Sequence, residues 1–432
     1  MHATTSHPSP QKSVWLDTSR EPPLDAAAAT GAHHTQVAIV GAGYTGLSTA
    51  LHLRQQGIEA TVLEAGQVGA GASGVNGGQV IPGLKKDPDQ LEALFPGRGA
   101  AIVERFGHAA DLVFSLIEQY AIDCSPVRNG WILAAHAPEA MRTVRQRQAQ
   151  WTARHAHVDL LTQEDVTRLS GSRAYVGGLI DHRAGTLQPL AYARGLARAG
   201  RALGARLFEH SRVDSLSRQA DGWRLHGRGF EVRAEHLVIA TDAYSGNLLP
   251  SLERSLINVS SLQIATAPIP DAFLDAYLPS LAGMSETRKL AVYLRRDPSG
   301  RLLIGGRGAL REHTPMSLYQ ELHTRLSTIF PQARHLGIEY RWQGTVGLTI
   351  DELPHLHELE GRLLIGTGYN GRGVAAATTM GKILADRITG GELADILPVS
   401  GLTSIPWRFA RLPLMAAAIS YYRVRDRLGF GA

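Results

Sequence analysis

Residues 36–64 read QVAIVGAGYTGLSTALHLRQQGIEATVLE, and this stretch decides the fold. Residues 37–40 form a short β-branched run, which is typical of a parallel strand buried on both faces. A helical pattern follows over residues 43–56, and Gly57 stands where a helix C-cap glycine belongs. Residues 61–63 predict a second strand. The stretch therefore predicts a βαβ unit with a right-handed crossover.

Gly41, Gly43 and Gly46 complete a G-x-G-x-x-G pattern between the strand and the helix, and Glu64 follows the second strand. In this context the pattern predicts a dinucleotide site. The first glycine permits the tight turn, the second lets the backbone approach a diphosphate, and the third allows close helix–strand packing. The diphosphate would lie on the helix N-terminus. Glu64 would bind ribose hydroxyls and repel a 2′-phosphate, which disfavours an NADP-type ligand.

Residues 69–79, GAGASGVNGGQ, contain too many glycines for a regular helix or strand by our interpretation. We expect this backbone to lie against a flat or anionic group. A simple nicotinamide cofactor needs no second cradle, whereas a longer cofactor such as FAD does. A third glycine-rich turn, residues 368–374, opens a predicted helix at 374–389 and offers another N-terminus to an anion.

Composition excludes several classes of protein. The chain has 432 residues, 44 Lys and Arg against 39 Asp and Glu, and one cysteine, Cys124. A single cysteine excludes a disulfide framework and cysteine-built metal sites, and we predict no metal. The basic residues form no cluster, so we expect no nucleic-acid partner. No apolar run reaches membrane-spanning length and the N-terminus shows no signal-peptide pattern, which favours a cytoplasmic enzyme without membrane insertion.

Buried strands at both ends and in the middle of the chain, with alternating patterns over residues 255–345, predict an α/β fold. We expect a discontinuous nucleotide-binding domain with an inserted second domain built on an antiparallel sheet; the family resemblance that follows implies that these are a discontinuous doubly wound FAD-binding domain and an inserted α+β substrate domain. The FAD-binding domain would comprise 33–87, 185–247 and 344–400, and the substrate domain 88–184 and 248–343. Residues 1–32 would form a loosely ordered N-terminal extension with Trp15 on the body, and 401–432 a tail packed on the body.

The fingerprint, the stretch GASGVNGGQV (71–80) and the turn GTGYNGRGV (366–374) resemble FAD-dependent oxidoreductases of the D-amino-acid-oxidase/glycine-oxidase superfamily. LIDHRAGTLQP (179–189) and RRDPSGRLLIGG (295–306) also fit this family. YRWQG (340–344) and YYRVRDRLGF (421–430) resemble the branch that contains gamma-glutamylputrescine oxidoreductase and L-pipecolate oxidase.

The resemblance implies a noncovalent FAD. Matched position by position, it implies a set of cofactor-binding residues drawn from several segments of the chain. They are Gly41, Ala42, Gly43, Tyr44, Thr45, Gly46, Glu64, Ala65, Gly71, Ala72, Ser73, Asn76, Gly77, Gly78, Gln79, Val213, Ala240, Thr241, Gly368, Tyr369, Asn370, Gly371, Gly373 and Val374.

The resemblance also implies a reaction in which hydride passes from the carbon next to an amine to flavin N5. The imine would hydrolyse to an aldehyde, and oxygen or another carrier would accept the electrons. The expected substrate is a small amine similar to gamma-glutamylputrescine. Candidate catalytic residues are Arg307, Tyr293, His182, Trp342 and Asn370, and Tyr244 is a further substrate-side candidate. Alternatives are an oxidase or dehydrogenase of a cyclic or N-substituted amino acid such as pipecolate, a flavin-binding module without turnover, and an NAD-binding dehydrogenase. The oligomeric state stays open.

Three departures from the family pattern bear on the chemistry. Glycine-oxidase-type members carry an arginine shortly after W-x-G that clamps a substrate carboxylate, and this chain has Val346 there. Sarcosine-oxidase-type members carry a lysine that activates oxygen near the position of Leu303. No cysteine lies near W-x-G, which is why we expect a noncovalent flavin. The apolar Val346 disfavours an α-amino acid substrate and favours an amine whose polar group lies elsewhere.

Overall fold

The computed structural model describes residues 13–308 and 314–406, together with 417, 419, 421, 422 and 424–426. Parts of the predicted N-terminal extension and C-terminal tail, and of the 421–430 motif, lie outside these residues. Most strands of the described residues belong to two large sheets.

The strands follow one another along the chain in this order. They are β1 Gly31–Val40, β2 Ala60–Leu63, β3 Gln79–Val80, β4 Trp131–Ala135, β5 Val158–Leu161, β6 Gly177–Asp181, β7 Gly185–Thr186, β8 Arg206–Phe208, β9 Val213–Gln219, β10 Gly222–Gly227, β11 Phe230–Ile239, β12 Ile257–Thr266, β13 Gly283–Glu286, β14 Tyr293–Arg296, β15 Leu302–Arg307, β16 Ile338–Leu348, β17 His355–Leu359, β18 Leu363–Thr367 and β19 Val399–Ser400.

The α-helices are named in the same way. They are α1 Val14–Thr18, α2 Tyr44–Gln55, α3 Ala72–Val75, α4 Pro88–Leu94, α5 Gly99–Gly107, α6 Ala109–Gln119, α7 Ala140–Thr152, α8 Gln163–Ser170, α9 Pro189–Ala202, α10 Pro250–Ser255, α11 Met316–Ile329 and α12 Gly373–Thr389. Short 3₁₀ helices occupy Asp242–Tyr244, Asp271–Ala276 and Pro331–His335. Among the described residues, no helix is long and apolar enough to span a membrane.

The first sheet has a parallel centre. β1 pairs in parallel with β2 and β11, β2 with β8, and β11 with β18. Helices α2, α9 and α12 cover one face, where Leu47, Tyr192 and Met380 join one buried cluster. Strands β9 and β10 and the short helix α10 cover the other face, through Leu225 and Leu252 among others. The predicted doubly wound arrangement therefore differs from the structure: on the second face, the antiparallel strands β9 and β10 and the short helix α10 lie where a doubly wound sheet has long helices.

The second sheet has the strand order β16-β12-β15-β14-β13-β4-β6-β5. Its pairs are antiparallel except β13 with β4, which are parallel. The sheet is thus mixed, although residues 257–348 are antiparallel as the alternation predicts. The predicted boundary between residues 343 and 344 lies inside β16, so strand continuity carries the second sheet four residues beyond the W-x-G motif.

The N-terminal segment is more ordered from Ser13 onward than the sequence indicates. Trp15 is 1% exposed, and its Nε1 donates a hydrogen bond of 2.8 Å to the carbonyl oxygen of Asn76. Its ring packs edge-on against Trp342 at 6.0 Å. Burial of a large indole explains why a segment rich in Ser, Thr and Pro is held against α9 and the second sheet. At the other end of the chain, the Asp426 carboxylate accepts from the N–H groups of Lys289 and Leu290.

Candidate functional site

The first glycine motif forms the junction between β1 and α2. Gly41 has a φ of +106°, and a Cβ atom there would lie 3.0 Å from the carbonyl oxygen of Ala240. A Cβ atom at Gly46 would lie 2.0 Å from the carbonyl oxygen of Gly41. Gly43 caps α2 without a side-chain hydrogen bond. The first N–H groups of α2 lack helical acceptors by geometry, which is the arrangement that binds phosphate.

Glu64 lies directly after β2, beside the glycine motif. Its two carboxylate oxygens accept hydrogen bonds from the N–H groups of Ala42 and Gly66, each at 2.8 Å. Burial raises the pKa of Glu64. The N–H of Ser211 donates to the carbonyl oxygen of Glu64 at 2.7 Å, which brings the start of β9 and Val213 close. The carboxylate oxygens keep lone pairs that can accept from ribose hydroxyls.

The second glycine-rich stretch lies against the N-terminus of α2. Ser73 Oγ accepts a hydrogen bond of 3.0 Å from the N–H of Tyr44. The N–H of Gly69 donates to the carbonyl oxygen of Ala42 at 3.1 Å. A Cβ atom at Gly43 would lie 2.9 Å from Ser73 Oγ. The two glycine-rich segments thus form one continuous surface at the helix N-terminus.

The expectation that residues 69–79 form neither helix nor strand is wrong, because α3 and β3 both lie within or begin in this stretch. Asn76 supplies the physical reason. Its Nδ2 donates to the carbonyl oxygens of Ala72 and Ser73 at 3.1 and 2.9 Å, and its Oδ1 accepts from the N–H of Gly78 at 2.8 Å. One side chain therefore orders a loop whose glycines have no side chains of their own.

Gln79 faces the second sheet with its side chain. Its Nε2 donates to the carbonyl oxygens of Met284 and Leu294 at 3.1 and 2.9 Å. Its Oε1 accepts from Ser285 Oγ at 3.3 Å. The side-chain amide therefore ties the loop to β13 and β14, while the backbone of Gln79 pairs with Thr186 of β7.

The third glycine-rich turn joins β18 to α12 and contacts α2. The hydroxyl of Tyr369 lies 2.5 Å from Thr45 Oγ1. The Asp242 carboxylate accepts from the N–H of Gly368 at 2.9 Å and from the hydroxyl of Thr367 at 2.6 Å. Burial raises the pKa of Asp242. The N-termini of α2 and α12 consequently lie at the same carboxyl edge of the parallel strands, where ligands bind in open α/β sheets.

The other predicted cofactor residues lie near these three segments along the chain. The N–H of Ala240 donates to the carbonyl oxygen of Val40 at 2.9 Å, and the methyl group of Thr241 would lie 3.3 Å from a Cβ atom at Gly41. The remaining members follow β2, flank α3 or begin α12: Ala65, Gly71, Gly77, Gly371, Gly373 and Val374. The direct contacts of all these residues with a cofactor stay a prediction.

One face of the second sheet is turned toward the second glycine-rich stretch. A Cβ atom at Gly305 would lie 2.1 Å from the ring of Tyr293, which pairs with it across β14 and β15. The hydroxyl of Tyr293 lies 2.9 Å from Ser261 Oγ. A Cβ atom at Gly77 would lie 2.7 Å from the same ring. Burial raises the pKa of Tyr293 to about 12, so its hydroxyl is neutral at pH 7.

Arg307 ends β15 on this face and pairs with Ser261 of β12. Its Nε is buried without a hydrogen-bond partner among the described residues. The pKa of Arg307 is lowered because burial disfavours its charge, and the nearby Tyr422 offsets only part of this effect. A buried guanidinium N–H without an acceptor costs free energy, and a carboxylate would satisfy it.

The two family departures on this sheet are both apolar. Val346 of β16 pairs with Val259 of β12. Leu303 of β15 is buried in a cluster with Trp15 and Trp342. Tyr244 stands nearby, with its hydroxyl accepting a hydrogen bond of 2.9 Å from the N–H of Thr345.

The structure does not bring His182 to this face, which corrects the sequence-based assignment. His182 Nε2 lies 2.9 Å from Asp159 Oδ2, and its ring stacks on that of His157 at 4.0 Å. Strand β6, which ends just before it, lies three strands from β14 in the second sheet. A lone histidine after a strand gave no signal about which sheet edge it would occupy.

Two other predicted residues support loops. Trp342 is fully buried and donates from Nε1 to the carbonyl oxygen of Val75 at 2.9 Å. Asn370 accepts at Oδ1 from the N–H of Thr349 at 3.0 Å and donates from Nδ2 to the carbonyl oxygen of Gly368 at 2.5 Å. These bonds occupy the polar atoms that a substrate contact would need, so we assign both side chains a positioning role.

Sequence reasoning missed two side chains that join the sheet to the second glycine-rich stretch. Gln263 donates from Nε2 to the carbonyl oxygen of Val75. Arg295 donates from Nη1 to the carbonyl oxygens of Gly78 and Leu187. Strand alternation starting from Tyr293 would have placed Arg295 on the same face.

The sequence profile of a family described as FAD dependent oxidoreductase matches residues 36–387. The chain belongs to this family of FAD-dependent oxidoreductases. Its cofactor is accordingly FAD, and it is an enzyme that acts on amines or amino acids.

Relatives and solved structures agree with this assignment. Gamma-glutamylputrescine oxidoreductase of Escherichia coli (strain K12) is 30% identical over 400 residues, which cover 91% of this chain and 93% of the relative. Glycine oxidase of Bacillus licheniformis is 26% identical over 369 residues, covering 82% and 93%. The crystal structure of glycine oxidase from Geobacillus kaustophilus matches with a TM-score of 0.71 at 24% identity, covering 86% of this chain and 99% of that chain. The shared architecture is an α/β fold with mixed sheets.

The residues of this chain fit FAD on structural grounds. Gly41 and Gly46 leave no room for a Cβ atom, so α2 packs closely on β1, and Gly43 presents bare backbone at the helix N-terminus, where a diphosphate would lie. Glu64 is fixed by two amides at the end of the neighbouring strand, where ribose hydroxyls would lie. The diphosphate would therefore be held by the start of α2, and the ribose by Glu64.

Proposed function

We propose that this flavoenzyme oxidises the C–N bond of an amine that carries a distal carboxylate, as in gamma-glutamylputrescine, to an imine that hydrolyses to an aldehyde. The observation that carries the proposal is the charge pattern on the second sheet: the apolar Val346 occupies the clamp position of α-amino acid oxidases, while Arg307 offers an unpartnered N–H on β15.

The register of the strands separates these two positions. Ser261 of β12 pairs with Gly344 on one side and with Arg307 on the other, so two strand spacings separate β16 from β15. At about 4.8 Å per spacing, the guanidinium-bearing strand lies roughly 10 Å from the strand of Val346. A site in which Arg307 holds the carboxylate therefore suits an extended substrate better than it suits glycine.

FAD, when bound, supplies the two-electron oxidation that no side chain of this chain performs. Tyr293 and Ser261 form a neutral hydroxyl pair directly beside Arg307, where it can hold polar atoms at the carboxylate end of the substrate without adding charge. The buried cluster of Trp342 and Leu303 packs against Val75 and excludes water from that side of the second glycine-rich stretch.

The flavin is noncovalent in this proposal. Cys124 is fully buried, and burial raises the pKa of its thiol to about 12. A thiol with that pKa is not a nucleophile at pH 7. Leu303 stands where some relatives have an oxygen-activating lysine, so the electron acceptor, oxygen or another carrier, has to be measured directly.

The test is anaerobic reduction of the purified yellow protein by gamma-glutamylputrescine, putrescine, pipecolate and glycine. We expect rapid bleaching of the flavin by gamma-glutamylputrescine and slow or no bleaching by glycine. Admission of oxygen with measurement of peroxide then separates an oxidase from a dehydrogenase.

Bleaching only by α-amino acids would overturn the assignment made from Val346, and pipecolate turnover would favour the alternative of a cyclic amino acid substrate. A yellow protein that no amine bleaches would support a flavin-binding module without turnover.

A further inference from the structure

Arg295 is a fully buried arginine between the second sheet and the second glycine-rich stretch. It is 2% exposed and lies on β14, two residues after Tyr293. Its Nη1 donates to the carbonyl oxygens of Gly77 and Gly78 at 3.4 and 3.3 Å, and to that of Leu187 at 2.5 Å. One guanidinium nitrogen thus brackets two segments that lie far apart in sequence.

The charge of this arginine is not neutralised by a contacting carboxylate. Among the described residues, no aspartate or glutamate hydrogen-bonds to Arg295, and its Nε is buried without a partner. Asp297 is a carboxylate whose charge acts on the pKa of Arg295, but its Oδ1 accepts hydrogen bonds from the N–H groups of Ser299 and Arg301. Burial lowers the pKa of Arg295 to about 10, so the group remains a cation at pH 7.

A buried, uncompensated cation is costly, and a fold retains it where it meets negative charge or fixed dipoles. The face of Trp15 offers part of this compensation, with its ring centre 5.3 Å from the guanidinium carbon of Arg295. The three carbonyl oxygens offer another part. Two of these carbonyls, those of Gly77 and Gly78, belong to the loop that the resemblance places along the flavin, so the charge lies directly behind that loop.

The backbone around Gly78 is shaped to admit the guanidinium. Gly78 has a φ of +66°, and a Cβ atom there would lie 2.3 Å from Arg295 Nη1 and 2.2 Å from the carbonyl oxygen of Leu187. Any side chain at Gly78 would therefore displace either the arginine or the segment around Leu187 that precedes α9. The GG pair of the motif is explained by Arg295 as well as by the cofactor.

We propose that Arg295 is a positioning residue of the flavin site. It holds the Gly77–Gly78 loop in its binding conformation and, from behind this loop, supplies positive potential to the flavin. This inference rests on the proposed function only for the presence of FAD at the loop. Positive potential near a flavin stabilises the more negative, reduced state relative to the oxidised state.

The test compares Arg295→Gln, Arg295→Met and Arg295→Lys with Arg296→Gln as the matched control. Arg296 is the next residue on β14, projects to the opposite face, and is half-buried with a hydrogen bond to the carbonyl oxygen of Leu274. The readouts are the dissociation constant of FAD for the apoprotein and the midpoint potential of bound FAD, measured against reference dyes without substrate.

We expect the two neutral variants to shift the reduction equilibrium of bound FAD about tenfold or more toward the oxidised form, which is about 30 mV for a two-electron couple. Arg295→Lys should keep the potential near that of the wild type because it keeps the charge. All three variants should bind FAD more weakly, since none reproduces the fork on three carbonyl oxygens. Arg296→Gln should change neither readout.

Unchanged potentials in the neutral variants would overturn the electrostatic role, and unchanged FAD affinity in Arg295→Lys would overturn the positioning role. If the neutral variants do not fold, Arg295→Lys decides alone: it supports the proposal if it binds FAD weakly at a wild-type potential, and overturns it if the potential falls. Wild-type protein that binds no FAD would instead contradict the proposed function.

Discussion

The hydroxyl groups of Tyr369 and Thr45 lie 2.5 Å apart although 324 residues separate them in the chain. Thr45 belongs to the first turn of α2, and Tyr369 to the turn that opens α12. This hydrogen bond fixes the relative position of two helix N-termini that we expect to contact FAD. The site therefore depends on a contact between the first and last glycine-rich segments.

Replacing Tyr369 with phenylalanine should weaken this connection. The change removes one hydrogen bond and leaves Thr45 Oγ1 with one partner fewer, so we expect a loss of about 1 kcal/mol in unfolding free energy. Thermal unfolding of the apoprotein and FAD titration check this result. Tyr277→Phe, at a buried tyrosine of the second sheet's core, is the control. An FAD dissociation constant unchanged in Tyr369→Phe would show that the helices are positioned by packing alone.

The variant Asp242→Asn should change how stability depends on pH. Burial raises the pKa of Asp242 above its ordinary value of 3.8. Because the folded pKa exceeds the unfolded one, this group stabilises the fold fully below about pH 4, and that contribution is lost as pH rises through the folded value. Asparagine cannot ionise.

We therefore expect the melting temperature of Asp242→Asn, relative to wild type, to improve as pH rises from 4 to 8. Asp221→Asn, at an exposed turn residue, should show no such trend. A relative melting temperature of Asp242→Asn that declines over the same range would mean that Asp242 is ionised in the fold without cost.

Arg307→Met should separate substrates with a distal carboxylate from those without one. Loss of a charge-assisted hydrogen bond should raise the KM for gamma-glutamylputrescine by about 10- to 100-fold, and leave that for putrescine nearly unchanged. Steady-state kinetics with both amines measure this difference. Arg341→Met, at an exposed position on β16, is the control. Equal effects on both substrates would contradict the proposal that Arg307 binds the carboxylate of the substrate.

Cys124 should be chemically silent in the native protein. Because burial raises the pKa of its thiol to about 12, a disulfide reagent should label it only after unfolding. Acid precipitation should release all flavin into the supernatant, both in wild type and in Cys124→Ala. Flavin retained in the wild-type pellet, and lost from that of Cys124→Ala, would contradict a noncovalent cofactor.

Local patterns predicted the nucleotide-binding part of the fold well. α2 and β2 match the predicted bounds within one residue, and β1 ends at Val40 as predicted although it begins at Gly31, because a β-branched run, a capping glycine and a helical period act within about 30 residues. The structure brings the three glycine-rich segments together, and each precedes or opens a helix. Glycine requirements are local, and a sequence displays them directly.

Most of the parts that were missed depend on distant partners. α3 is the exception: the Asn76 side chain bonds to its last turn, a local contact, although Gly74 opposes helix formation. α1 exists because Trp15 is buried against α9 and the second sheet. The sequence around His182 and Arg295 does not indicate which part of the second sheet each side chain contacts. Long-range contacts decided these last three, and a single sequence does not contain them.

The pairing of β1 with β11 along ten residues has a consequence for biosynthesis. On the ribosome β1 emerges early, while its neighbour on that side is made roughly 200 residues later. At about 5–20 residues per second, the apolar edge of a nascent strand stays uncovered for about 10–40 s. Such edges pair with other chains when they are left open. The yield of folded protein in a cell should therefore depend on growth temperature and on chaperones that bind the nascent chain. It should depend less on the thermodynamic stability of the folded holoenzyme.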